Sequence, residues 1–438
     1  MRYRLRALIT MAGLIPLGLY GIVGAAQSHS RATSAERSAL TAAQIRLLAA
    51  HATERSIIVF KNQFPDLPLR GITARQRVSA IDASQAPVLA ELAALHAKNV
   101  QSFQIINAIA ATVSPAEVQR LRANPAVLAV DRDTAQHAAR GAGMAGGAAH
   151  YATAAYRGAA DDVTRQVCPS NPARPLVEPE ARALMNVNAA QQIADGTGIK
   201  IGLIFDGIDP NNPDLIRPNG QHVIFDYQDF SGEGPVTPTS GEALFLAGLI
   251  SAQGNQVYDL SKFVNSAHPL PSGCTIKLEG MAPGASLAEL NPFGNDQAVF
   301  NSEIIQAIQY AVAVDHVNVL AEPFGGNPVP NTQDDPAGLA AQAAIAAGVV
   351  VVANTGDNGL ASTNIPSPGG VAGVIDVGGT TSFQTYRQTD QNGPDLGTTG
   401  WEDNNISADS TTGINEYSPH TMDVVAPADG IWGLCSTD

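Results

Sequence analysis

Four consecutive valines, Val349, Val350, Val351 and Val352, run into a turn bracketed by Gly356 and Gly359. A strand without apolar-polar alternation has both faces covered, which is the pattern of a parallel sheet held between helix layers. Related stretches at 200–205, 222–226, 286–290, 317–320 and 374–377 read as further short strands, and alanine-rich segments at 242–253, 302–314 and 338–347 read as the helices between them. This alternation predicts an α/β fold with a doubly wound parallel sheet. Ligands in such sheets sit at the carboxyl ends of strands, where the turn places Asp357; the simpler reading is an Asp that stabilises its own turn.

An earlier part of the chain has a different rhythm. Strands are expected at 57–60, 103–106, 108–113 and 126–130, and a helix with apolar residues at Val88, Leu89, Leu92 and Leu95 is expected over 87–98. Ser114, Pro115 and Glu117 supply an N-cap, a first-turn proline and a capping-box acid for a second helix over 116–122. The order β-α-β-β-α-β predicts a small ferredoxin-like α/β sandwich over 55–134. Residues 27–54 read as a polar, disordered or helical lead. The glycine- and alanine-rich residues 135–175 read as a flexible linker with little to bury, and 176–438 as the large sheet domain.

The first residues change the picture of where the protein works. Arg2, Arg4 and Arg6 precede an apolar run over 7–23 and the small residues Gly24, Ala25 and Ala26, the order of a secretory signal peptide ending near Ala26. The expectation is therefore a secreted protein, extracellular or periplasmic, with no membrane association after cleavage. The formal net charge of −15 over 438 residues argues against nucleic acid as a partner. Cys168, Cys274 and Cys435 lie far apart without metal-ligand spacing, and no pairing among them follows from sequence.

These pieces, in this order, resemble the subtilase clan of serine peptidases, subtilisins and sedolisins. NAIAATVSPAEVQRLRANPAVLAVDRD at 107–133 resembles the subtilisin-type propeptide, which implies an intramolecular inhibitor. GTGIKIGLIFDGIDPNNPDL at 196–215 is similar to the first catalytic block. GMAPGASLAEL at 280–290, the segment ending in Phe324, Gly325 and Gly326, GVVVVANTGDNG at 348–359 and MDVVAP at 422–427 resemble later landmarks. The resemblance implies a serine-type endopeptidase precursor acting on proteins or peptides, with Phe324, Gly325 and Gly326 holding an extended substrate. The alternative for the two glycines is a plain strand-end turn. Calcium is common in the clan, but no compact acidic loop names ligands for it here, and no metal site is assigned.

The resemblance also places the catalytic groups. Aligned without gaps, the orienting Asp of the family falls on Phe205; a one-residue deletion in the turn moves the role to Asp206, and sequence leaves both open. The family's histidine position falls on Glu242, and its oxyanion asparagine on Asp357. Glu for His and Asp for Asn are the pattern of sedolisins, the acid-acting branch. The chemistry is consistent, because a Glu serves as general base where a His is protonated, and an Asp can donate to an oxyanion only as the neutral acid. The sedolisin helix carries a partner Asp one turn after its Glu, but that position is Leu246 here, which leaves Asp206 as the orienting acid. Without catalysis, Glu242 would be a first-turn acid after Ser240 and Gly241, and Asp206-Gly207 a turn. His222, His268, His316 and His420 match no motif.

In the clan the nucleophile lies in a Gly-Thr-Ser segment opening a long helix beyond the MDVVAP landmark, whereas this sequence runs on only to Asp438. Ser436 lacks the preceding glycine and is not assigned the role, so the chain as written is expected to be inactive on its own. The rival is a noncatalytic relative that binds peptides or a partner protein through the same cleft.

Overall fold

The computed structural model describes residues 40–137, 176–177, 179–232, 241–262, 275–293, 298–325, 335–357, 359, 365–381, 405–407, 409–411, 413, 422–429 and 431–434. The chain divides into two compact units, Met1–Thr41 and Ala42–Asp438, and the architecture below belongs to the second. The expected signal peptide, all three cysteines and Gly326 fall outside the described residues.

The N-terminal part opens with α1 (Ala42–Ala49), in the segment read as a lead, whose Leu48 carbonyl accepts from the Ser114 hydroxyl. It continues through β1 (Glu54–Phe60), α2 (Ala74–Ala94), β2 (Lys98–Phe103), β3 (Ala108–Val113), α3 (Pro115–Arg122) and β4 (Val127–Arg132). The strands form an antiparallel sheet in the order β2-β3-β1-β4, the ferredoxin-like arrangement. Ser114 caps α3, its hydroxyl accepting from the Glu117 amide at 3.2 Å.

Helix α2 starts thirteen residues before the expected 87 and contains Pro87 in its interior. Its buried stripe includes Arg77 and Gln85, so apolar periodicity understates it. Arg77 donates to the carbonyls of Phe64 (2.7 Å) and Ile105 (2.9 Å), and Gln85 to those of Phe103 and Ala108 (both 3.0 Å). The next strand therefore runs over Lys98–Phe103, before the expected 103–106.

The sheet is apolar on both sides. Ile58, Phe60, Ile109 and Val113 face α2 and α3, while Ile57, Val59, Ala108 and Ala110 join the core of the large domain. That explains why β3 is buried throughout, where a half-solvated antiparallel strand would alternate. After β4, β5 (Ala135–His137), in the stretch read as linker, pairs antiparallel with a strand of the large domain, Ala298–Phe300.

The large domain begins with β6 (Leu176–Val177), α4 (Pro179–Leu184) and α5 (Val187–Gln191). Next come β7 (Lys200–Ile204), β8 (Ile224–Asp229), α6 (Glu242–Ser251), β9 (Tyr258–Asp259) and β10 (Thr275–Lys277); β6, β9 and β10 make a small sheet. Then follow β11 (Ser286–Asn291), β12 (Ala298–Phe300), α7 (Asn301–Tyr310), β13 (Val319–Glu322), α8 (Pro336–Ala346), β14 (Val350–Asn354), β15 (Ile375–Thr381) and β16 (Val424–Asp429). Seven strands form the predicted parallel sheet in the order β16-β15-β14-β13-β7-β11-β8. Helix α7 ends in a π-helical turn, Ala311–Asp315.

The valine run is the body of β14, but its cover is incomplete. Val350 is 47 % exposed, and Val352 lines an open cavity instead of meeting a helix. On the opposite face Leu320, Ala311 and Val317 approach Gly202 so closely that an added Cβ would lie 3.1 Å from Leu320 Cδ1.

Helix α7 joins the two parts. Ile305 is fully buried in the large core, and Asp133 of the sandwich caps the helix start, accepting from the Ser302 amide (3.1 Å) and hydroxyl (2.8 Å). Arg55 bridges Asp133 (3.1 Å) and Glu303 (3.3 Å) and lies 3.4 Å over the Phe300 ring. Gln309 Oε1 accepts from the Gln104 and Ile105 amides. Replacing Ile305 with Ala should lower unfolding stability by about 2–5 kcal/mol, read from urea titration, because it opens a cavity where both parts meet one helix.

Candidate active site

At the carboxyl end of β7 the chain leaves the sheet as Phe205 and Asp206, and the two side chains part company. Phe205 packs on Phe293 with ring centroids 5.3 Å apart, and Phe293 meets Phe324 edge-on at 5.6 Å. Asp206 is 4 % exposed, and its Oδ1 accepts the Ala243 amide at 2.9 Å in the first turn of α6. Of the two residues left open by the sequence, only Asp206 reaches toward Glu242. A carboxylate at a helix N-terminus is held by the unpaired amides and the dipole there. Gly241 precedes the helix at φ +75°, a left-handed conformation that brings the chain into α6 abruptly.

Glu242 is half-buried as the first residue of α6, and desolvation followed by the charge of Asp357 pushes its carboxyl up. Burial also raises Asp206, to about 6, against the opposing hydrogen bond from Ala243 and with a further upward contribution from Glu242. Asp357 is exposed as a whole, yet desolvation of its carboxyl and then the charge of Asp409 raise it too. The three acids singled out in the sequence thus lie within electrostatic reach of one another, at the carboxyl ends of β7 and β14 and the start of α6.

The Asp357 turn is tightly built. Gly356 has φ +87°, and a Cβ there would lie 2.7 Å from Pro366 Cγ, so a side chain is excluded twice over. The Thr411 amide donates to Gly356 O (2.9 Å), and the Gly359 amide to Asp409 O (3.0 Å). Gly325 lies close by, where an added Cβ would meet Pro366 Cγ at 3.0 Å and Asn354 Oδ1 at 3.6 Å. Phe324 is buried in the aromatic cluster, so of the expected peptide-holding segment its backbone and Gly325 are the parts beside the turn.

A cavity of about 630 Å³ extends from this turn under α6. Leu246, Leu249 and Ile250 of α6 line one side, the sheet residues Ala321 and Val352 another, and Asp357, Asp409 and Ser410 its polar end. Leu246, the position where a partner acid was sought, belongs to this apolar wall. Asn354 Oδ1, also lining the cavity, is buried with no hydrogen-bond partner among the described residues.

Of the four histidines named above, His268 and His420 lie outside the described residues. His222 is exposed with Nδ1 3.0 Å from Pro210 O, and His316 closes the π-helical turn at φ +55°. Among the described residues no group of three or more His, Cys, Asp or Glu side chains could hold a metal ion. The described residues likewise contain no helix long and apolar enough to cross a membrane.

Sequence reasoning passed over Glu289 in β11. It is fully buried, and its carboxyl is pushed well above the ordinary range by desolvation and then by the charge of Asp206. The signal was present, since one acid among Leu287, Ala288 and Leu290 in a strand without alternation has no solvent face to occupy.

Comparison with known sequences agrees with this fold. The sequence model of the Subtilase family matches residues 196–437, from just before β7 to the last residues of the chain. The chain is also similar to the minor extracellular protease Vpr of Bacillus subtilis (strain 168), 29 % identical over 192 residues. That alignment covers 42 % of this chain but only 21 % of the relative's own length.

The Asp206 environment sets a pH dependence. An acid raised from 3.8 to about 6 in the folded state gives stability that is whole below pH ~4 and lost as pH rises to about 6, some 3 kcal/mol in all. Asp206→Asn keeps the acceptor for Ala243 and should flatten stability over that window, measured by urea unfolding at stepped pH.

Proposed function

The chain belongs to the subtilase family, and from that membership we propose that it is the precursor of a secreted serine-type endopeptidase with a carboxylate base. The observation that carries the reading is the placement of Asp206, Glu242 and Asp357 at the carboxyl ends of β7 and β14 and the start of α6, where Asp206 accepts the Ala243 amide beside Glu242. Glu242, ionised, takes the proton from the serine hydroxyl as it attacks the peptide carbonyl, and returns it to the leaving amine. Asp206 holds the start of α6, and with it Glu242, in place. Asp357, protonated, donates to the oxyanion. Water then hydrolyses the acyl-enzyme by the same proton path in reverse order. The family's serine supplies the nucleophile; the sequence assigns no residue to it, and Ser436 lies outside the described residues.

This division of labour needs Glu242 without its proton and Asp357 with one, so activity is confined to acidic and mildly acidic pH. Burial is the largest influence on all three acids and neighbouring acids add to it, which favours neutral forms as pH falls. The same cleft would accept an extended peptide along Gly325. The sandwich at 55–134 is assigned as the inhibitory propeptide, a reading supported by the β5–β12 pairing and by the Asp133 cap on α7.

A fluorogenic peptide assay across the acidic to neutral range, run on the protein carrying the family's serine, tests the mechanism. Glu242→Gln should lower kcat/KM by about 10²–10⁴, and Asp357→Ala by about 10²–10³ with the alkaline limb abolished. Activity that survives Glu242→Gln would refute the carboxylate base, and peptide binding without cleavage by the serine-bearing protein would favour the noncatalytic reading. Arg55→Ala combined with Asp133→Ala should weaken inhibition by the N-terminal part, seen as faster appearance of activity after a protease cut within 138–175.

A further inference from the structure

The cavity under α6 is apolar along most of its length. Leu246, Leu249 and Ile250 of α6 form one wall, and Ala321, Val352 and Val377 of β13, β14 and β15 form the sheet wall. Laterally paired residues of a parallel sheet point the same way, so Ile375, the partner of Val352, and Val424, the partner of Val377, continue this wall beyond the cavity. Both leave apolar area in water, Ile375 being 38 % and Val424 51 % exposed. The cavity's volume of about 630 Å³ is that of a site for a small ligand.

The polar end is made of hydrogen-bond acceptors. The Thr411 amide donates to Gly356 O (2.9 Å) and the Gly359 amide to Asp409 O (3.0 Å), which ties the turn of Asp357 to that of Asp409 and sets both residues at one mouth of the cavity. Asn354 Oδ1, at the end of β14 where the turn begins, is buried without a hydrogen-bond partner. The hydroxyls nearby are committed to the protein itself. Ser410 Oγ accepts the Gly379 amide (3.1 Å) and shares a hydrogen bond with Thr355 Oγ1 (3.1 Å), and Ser407 Oγ accepts the Asp409 amide (3.2 Å). Among the described residues lining the cavity there is no lysine, arginine or histidine to answer the two acids.

A ligand that fits this lining has a long apolar body and a head that donates hydrogen bonds and carries positive charge. We propose that the cavity is a binding site for a small amphiphilic amine, its apolar body lying between α6 and the sheet and its ammonium head at Asp357 and Asp409, with Asn354 Oδ1 taking one N–H. An aliphatic amine is protonated at neutral pH, and the net charge of −15 on the chain favours a cation over an anion at the mouth. The site shares Asp357 with the peptidase reading. On that reading an ammonium beside Asp357 holds the carboxyl ionised, so that it no longer donates to an oxyanion and the amine inhibits. Binding itself does not rest on that reading.

Isothermal titration calorimetry of the full chain near neutral pH tests the site with hexylamine, heptylamine and octylamine, each below its micelle concentration, and with octanol and octanoate as matched heads. The amines should saturate a single site and tighten about fourfold with each added methylene. Octylamine should bind about 3- to 10-fold more tightly than octanol, as expected of an ammonium beside two solvated carboxylates, and octanoate more weakly than either. Asp409→Asn should bring octylamine close to octanol and leave octanol unchanged. Leu249→Trp, which fills the apolar wall, should weaken the whole series about tenfold or more, the loss of some two buried methylenes. Uptake that never saturates, equal affinity for octylamine and octanoate, or a Leu249→Trp variant that binds as the parent does would overturn the proposal. If Leu249→Trp does not fold, the preference for octylamine over octanol in the parent and its loss in Asp409→Asn decide. Saturable octylamine binding together with an inactive serine-bearing protein would refute the peptidase reading and leave the site standing, and an active protein that does not bind octylamine would do the opposite.

Discussion

A carboxyl group removed from water must keep its proton or find donors and cations to replace the solvent, and at this site burial sets the balance. Asp206, Glu242, Asp357 and Glu289 are raised by burial first and then by other acids. The arrangement follows from topology. β7 and β14 end at the same edge of the sheet, and α6 begins there, so their terminal acids converge beside an apolar cavity and a two-sided apolar core. Each additional negative charge makes the next harder to form. The site is thereby biased toward carboxylic acids able to donate, with one or two carboxylates able to accept, which is the mixture that acid-range acyl transfer requires.

Helix α7 plays the corresponding structural part on the other face. Its inward side fills the large core through Ile304, Ile305 and Ile308, while its first turn and outward polar side hold the sandwich through Asp133, Arg55, Gln101 and Gln104. The cluster around Asp133 is hydrogen-bonded on several sides and buried to 2 % at the aspartate, so it belongs with charge pairs that lose much when one partner is removed. Arg70 adds a second anchor at the far end, donating to Val312 O (3.0 Å) and Val317 O (2.7 Å) around the π-helical turn.

The large sheet was legible because its strands are short apolar runs without alternation, and every run assigned as a strand lies in it. Boundaries moved by up to four residues where strands continue past their apolar part, as β15 does through Gly378 to Thr381. β16 was seen as a sequence landmark but not as a strand, since Val424 and Val425 are half exposed and Pro427 interrupts the pattern. In the sandwich, α2 was underestimated because its buried face is built partly from Arg77 and Gln85, whose burial depends on carbonyls supplied by distant loops. At the site, Asp357 stood out in its glycine-bracketed turn, and Glu242 was placed by the family resemblance at the start of α6. The choice between Phe205 and Asp206 could not be made, because it turns on a one-residue rotation of the chain as it leaves β7. Glu289 was visible as an acid in a strand with no wet side, but its neighbour across the sheet is remote in sequence.

The doubly apolar sheet of the sandwich carries a consequence for the order of events in the life of the chain. Ile57, Val59, Ala108 and Ala110 are dry only while the larger part covers them. Were the two parted, this stripe would meet water on an otherwise intact sheet, and the freed piece would be sticky, short-lived and an easy mark for any proteolytic activity nearby. Parting would therefore run in one direction, as a ratchet, with the detached piece lost before it could return.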